Sequence, residues 1–162
     1  MIESAAVISD CGTYRYQLER RWADGPSVTW IMLNPSTADA SIDDPTIRRV
    51  RSFSERDGFG ACEVLNLFAL RSPDPKLLKT HSEPVGTDNG EYLVRAMERT
   101  GGMVIAAWGA HPFAAERARL LLSSAKAVGR TLYCLGTTKA GAPRHPLYVR
   151  GDQPWIEYKG VR

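Results

Sequence analysis

The chain has few cysteines, no long apolar run and no internal repeat. Its three cysteines, Cys11, Cys62 and Cys134, are odd in number and no two lie close together. This argues against a disulfide framework and against a zinc knuckle, and it fits a reducing cytoplasm. The longest apolar stretches are short, as in 104–107, well below the about 20 residues that a helical membrane span requires. Glu3 and Asp10 interrupt the N-terminus and no basic segment precedes an apolar one, so no secretory signal is expected. The three histidines are scattered without zinc-site spacing. Ser36 has no Gly-x-Ser-x-Gly elbow. Neither a P-loop nor the Rossmann glycine pattern occurs. No metal and no organic cofactor is therefore expected. Asp39, Asp43 and Asp44 form an acidic run, but Asp44 reads more simply as a helix cap.

What is present is an ordinary globular composition. The 162 residues are 43% hydrophobic and 24% charged, enough to bury a core without covalent staples. The net charge of +3 is unevenly spread: residues 1–110 hold 12 Lys/Arg against 15 Asp/Glu, whereas 111–162 hold 9 against 3. A basic C-terminal third fits an anionic partner such as nucleic acid or a nucleotide. An uneven but merely solvated surface is the plainer alternative.

Residues 5–8 and 14–22 flank a polar turn and read as an N-terminal β-hairpin, an extension over 1–27. The α/β core then spans 28–150. Four short runs, 28–33, 64–70, 103–108 and 131–135, are apolar on both faces, as strands covered by helices on both sides must be. Between them lie amphipathic patterns. Asp44-Pro45 starts one helix, with Ile47, Val50 and Phe53 inward. Asp88 opens a second, and a third runs from Pro112 to about Val128 before Gly129. The expected fold is a three-layer α/β/α sandwich around a mostly parallel four-stranded sheet, with the hairpin extending it or packing on it.

In such sheets ligands sit at the carboxyl ends of the strands, which singles out four segments. The first carries Asn34-Pro35-Ser36, a sharp turn that presents an amide, a hydroxyl and backbone N–H groups, or simply a structural strand-to-helix turn. The second carries Asn66 inside an apolar run, followed by Phe68. A buried amide is costly unless paired, and its donor and acceptor suit the edge of a base. The third ends in Trp108-Gly109-Ala110-His111. The fourth opens into 136–148, with Lys139, Arg144 and His145 among glycines, prolines and hydroxyls. The cations suit phosphate, and His145 is placed like a loop ligand or catalytic group.

In order, LNPS at 33–36, VLNL at 64–67, AAWG at 106–109 and RHPL at 144–147 resemble the motifs of the uracil-DNA glycosylase superfamily. Those are a GxDP or GxNP turn, an Asn closing a later strand, an LWG strand end and a late HPS loop. LNPSTAD at 33–39, DPTIRR at 44–49, NLFALR at 66–71 and GAPRHPLY at 141–148 resemble, more closely, the DUF1643 family.

The glycosylase resemblance implies that Asn34 positions water, Asn66 reads the base edge and His145 stabilises charge on the departing base. Phe68 or Trp108 would supply a stacking face, Ser36 would line the substrate pocket, and Lys139 and Arg144 would grip phosphates. Leu33 stands where those enzymes have Gly, and Ser36 where they have Tyr or Gly. HPLY replaces their HPSPLS, leaving Leu147 or Tyr148 as the wedge. The expectation is a protein that recognises or excises a modified or deaminated base from DNA. A non-catalytic nucleotide-binding module, or a hydrolase or transferase on a small nucleotide-like substrate, are the alternatives.

Overall fold

The computed structural model describes residues 3–99 and 101–161. Seven strands form one sheet: β1 (Glu3–Ile8), β2 (Arg15–Arg21), β3 (Ser27–Met32), β4 (Ala61–Asn66), β5 (Val104–Ala106), β6 (Leu132–Cys134) and β7 (Ile156–Tyr158). Four α-helices accompany them: α1 (Pro45–Arg56), the single turn α2 (Leu77–Thr80), α3 (Asn89–Glu98) and α4 (Ala115–Ala127). The strand order is β1-β2-β4-β3-β5-β6-β7. The inner strands β4, β3, β5 and β6 run parallel. β2 joins β4, and β7 joins β6, antiparallel.

The expected four-stranded, mostly parallel sheet is thus corrected to a seven-stranded mixed one. The hairpin β1–β2 continues the sheet at one edge because β2 takes the free side of β4 in register, Leu18 against Val64 and Arg21 against Ala61. β7 closes the other edge, and its three residues are too few for a period to show in the sequence. The strand expected at 64–70 is β4, and it starts and ends earlier. Glu63 interrupts the apolar pattern, yet it is buried in mid-strand. It accepts bonds from Thr29 Oγ1 at 2.5 Å and Gln17 Nε2 at 2.9 Å and pairs with Arg99 at 2.8 Å. Residues 67–70 remain buried after the strand has ended.

Strand alternation sorts the core. Trp30, Met32, Val64 and Ile105 face α1 and meet Ile47, Val50 and Phe53. Ile31, Leu65, Ala106 and Leu132 face the other way, against Leu93 and Met97 of α3 and Ala118 and Leu121 of α4. Helices therefore cover both faces of the sheet. α1 begins as its sequence dictates: Asp44 Oδ1 accepts the Ile47 N–H at 2.9 Å, and Pro45 occupies the first turn, where no N–H is missed. Across that layer Trp30 Nε1 donates to Ser54 Oγ at 3.1 Å, which satisfies an indole buried to 0% exposure.

Candidate functional site

Four parallel strands place their carboxyl ends on one edge of the sheet. The chain passes from β3 to β4 on one side and then crosses to β5 on the other. Connections that diverge from one strand leave a crevice at its carboxyl end, where ligands bind in open α/β sheets. A cavity of about 620 Å³ occupies this edge, within the usual range for small-molecule sites. Its wall takes Asn34, Ser36 and Asp44 from the segment after β3, and Asn66 and Ser72 from the end of β4 and beyond. Trp108 and His111 follow β5, and Thr138, Arg144, His145 and Tyr148 follow β6.

Asn34 is half-buried at the turn. Its Nδ2 donates to the carbonyls of Pro35 at 3.1 Å, Leu70 at 3.2 Å and Ser72 at 3.0 Å. Those acceptors fix the amide's orientation and leave Oδ1, an acceptor, as the group it can offer a ligand. Asn66 closes β4 at 1% exposure, and its Nδ2 is buried without a hydrogen-bond partner. Its backbone is held from behind by Asn89, whose Nδ2 donates to the carbonyls of Asn66 at 2.9 Å and Leu67 at 3.2 Å. A buried donor with no partner costs about 1–3 kcal/mol. A pocket wall is where such a cost is recovered when a ligand arrives.

His145 precedes a short 3-10 turn, Pro146–Tyr148, and its Nδ1 accepts the Leu147 N–H at 3.2 Å. That bond puts the proton of the neutral ring on Nε2, making it a donor. Burial holds the His145 pKa below the usual imidazole range; the charge of His111 adds to this and Asp44 opposes it. His111 is likewise lowered by burial and by Lys79. Both rings are thus uncharged near neutral pH. Gly109, at φ +76°, lies against both residues, and a side chain there would be strained.

Arg15, Asp44 and His111 also belong to this wall, although no local pattern marks the first as a site residue. Arg15 opens β2 and is 2% exposed; its Nη1 donates to Ala38 O at 2.7 Å and its Nε has no partner. Burial lowers its pKa to about 10, with the Asp44 carboxylate opposing the shift, so it stays cationic at neutral pH. Arg15 reaches the cavity because β2 adds to β4, a pairing that no local pattern announces. Asp44 carried a visible signal, the cap before Pro45, which accounted for it without reference to a cavity.

The other expected residues divide. Trp108 is a buried wall residue, set edge-on to Tyr158 with ring centres 5.4 Å apart. Ser36 and Arg144 line the cavity, and Arg144 Nη2 donates to Tyr148 O at 2.9 Å. Phe68 does not line it: its ring is buried beside Phe113 on the α3–α4 face, so it gives no stacking surface here. Lys139 is also absent from the wall and sits exposed in the β6 loop. Leu147 and Tyr148 stand out at the rim, 45% and 76% exposed.

Among the described residues no three His, Cys, Asp or Glu side chains gather as metal ligands, and no helix is long and apolar enough to cross a membrane. No curated protein and no solved structure matches the chain. Residues 15–147 match the family described as "Protein of unknown function (DUF1643)", and with most of its length inside that match the chain belongs to this family.

Proposed function

We propose that this protein takes a nucleobase of DNA into the cavity and hydrolyses its N-glycosidic bond, on a frame of the uracil-DNA glycosylase type. The observation that carries the reading is a pair of donors on one wall: the unpartnered Asn66 Nδ2 and the Nε2–H of a neutral His145. Breaking a glycosidic bond leaves positive character on the sugar and negative charge on the base. Fixed donors aimed at that growing charge are the strongest lever a protein has. His145 would meet the departing base's oxygen, and Asn66 would read its hydrogen-bonding edge. Asn34, whose Oδ1 remains available, would hold a water by accepting its hydrogen. Trp108 supplies an apolar wall and Ser36 a hydroxyl.

Duplex DNA would have to surrender the base from its stack, or the substrate would be single-stranded. The exposed Leu147 and Tyr148 at the rim suit the space a flipped base vacates. Arg144 at the wall, and Lys139 outside it on the same loop, suit the flanking phosphates.

The test is an end-labelled oligonucleotide panel, single- and double-stranded, carrying deaminated and otherwise modified bases, with alkaline cleavage to reveal abasic sites. Abasic product from at least one base is expected. Salt-sensitive binding without product from any of them would overturn the catalytic step and leave a binding module.

A further inference from the structure

Hydrolysis needs a group to accept the proton that water sheds, and the residues assigned so far supply none. Asn34 has a neutral amide whose nitrogen is tied to three carbonyls. His145 holds its proton on Nε2, with Nδ1 occupied by the Leu147 N–H. Arg15 and Arg144 are cations. Asp44 is the carboxylate in the cavity wall.

Its surroundings are unlike those of an ordinary helix cap. Asp44 is only 9% exposed. Oδ1 takes the Ile47 N–H, and no protein donor reaches Oδ2 among the described residues. It lines the same cavity as Arg15 and His145, the proposed leaving-group donor, and its charge raises the pKa of both. Independently, the same wall holds two buried polar atoms with no partner, Asn66 Nδ2 and Arg15 Nε.

We infer that Asp44 is the catalytic base that activates the hydrolytic water, resting on the glycosidic reading above. Asn34 Oδ1 holds the water, and the Asp44 carboxylate takes its proton as the oxygen bonds to the anomeric carbon. The carbon–nitrogen bond breaks and its electron pair leaves with the base, whose developing charge meets the His145 Nε2–H. The products are the free base, protonated from solvent, and an abasic sugar bearing the new hydroxyl, while Asp44 returns its proton to solvent. Arg15 lines the same cavity wall. Removing a general base typically costs about 10²–10⁴-fold in rate.

The dual role of Asp44 makes the test clean. Asn and Ser cap helices about as well as Asp, so Asp44→Asn and Asp44→Ser keep the cap of α1 and remove the carboxylate. Single-turnover base release is measured with the substrate identified by the oligonucleotide panel, alongside the Kd for that oligonucleotide and the melting temperature. A 10²-fold or greater loss of rate in both variants, with Kd and melting temperature near wild type, is the expected result. Rates within about threefold of wild type would overturn the inference and leave the glycosidic reading standing. Loss on His111→Gln without loss on Asp44→Asn would give the base to His111 and overturn it equally. Wild-type protein that releases no base would overturn both readings together.

Discussion

Two buried polar clusters lie on the same sheet and differ in one respect. At Arg20, and at Glu63 on the opposite face of the same strand pair, each buried charge finds its own partners. Arg20 Nε donates to Asp43 Oδ1 at 2.8 Å, its Nη1 to Glu19 O at 2.9 Å and its Nη2 to Asp39 O at 2.5 Å. Both carboxylate oxygens of Glu63 are bonded. Around Arg15 and Asn66 the burial is equal, but two nitrogens have no partner. A satisfied buried network holds a structure together; an unsatisfied one costs stability and is kept where something else completes it. Of the four buried side-chain polar atoms without a partner among the described residues, Arg15 Nε and Asn66 Nδ2 belong to residues of the cavity wall, while Asn89 Oδ1 and Trp155 Nε1 lie elsewhere.

The largest expected effect that sharpens this contrast is on chemistry. His145→Ala should lower base release by about 10²–10³-fold, the usual cost of deleting a donor to developing charge, with oligonucleotide binding largely kept. Single-turnover rates set against Kd separate the two. If rate and Kd fell together, His145 would belong to ground-state binding instead.

Next comes stability, where the clusters should respond in opposite directions. Arg20→Met strands two carbonyls and the Asp43 carboxylate, whose side chain is 26% exposed, and should destabilise by about 1–3 kcal/mol. Asn66→Leu removes a donor that has no partner, so its unfolding free energy should stay within about 1 kcal/mol of wild type or rise, while base discrimination is lost. Urea titrations of both variants check this. Equal losses would dissolve the distinction between the clusters.

A smaller effect is on pH dependence. The folded protein holds His145 below the ordinary imidazole pKa of 6.5, chiefly by burial. Below that value the unfolded chain takes up the proton before the folded one does. The stability linked to this residue is therefore present above pH 6.5 and is lost as pH falls toward the folded pKa. His145→Gln should flatten that acid limb of the unfolding free energy. Base release should likewise persist to more acid pH than a free imidazole would allow, because the neutral donor form survives there.

The smallest effect concerns closure. Cys62 lies on β4 in register with Arg20 of the satisfied cluster, buried, with its thiol pushed up to about 12 by burial. Cys11 is exposed in the β1–β2 turn, and a hydrogen bond with Ser9 leads the effects that lower its pKa to about 7. A thiol reagent at pH 7.5 should label Cys11 quickly and Cys62 only after unfolding, as peptide mass analysis would show. Rapid labelling of Cys62 in the native protein would mean that the satisfied end of the sheet is open after all.

Much of this molecule is legible along the chain. Doubly apolar runs alternating with capped amphipathic segments determine parallel strands joined by helices. Such connections return each strand in the same direction, so the polar residues after β3, β4, β5 and β6 must share one edge. That is why Asn34, Ser36, Asn66, Trp108, Arg144 and His145 were visible as a set. Phe68 shows the limit of that logic: it follows the same strand as Asn66, but packing turns its ring into the core beside Phe113. Only the tertiary structure decides strand order, and with it the pairing of β2 with β4 that brings Arg15 to the cavity and the short β7 that closes the far edge. It alone leaves Asn66 Nδ2 unpartnered and sets the His145 tautomer through the Leu147 N–H. The reason is physical: periodicity records which face of an element is buried, whereas the partner of a buried polar atom depends on neighbours many tens of residues away.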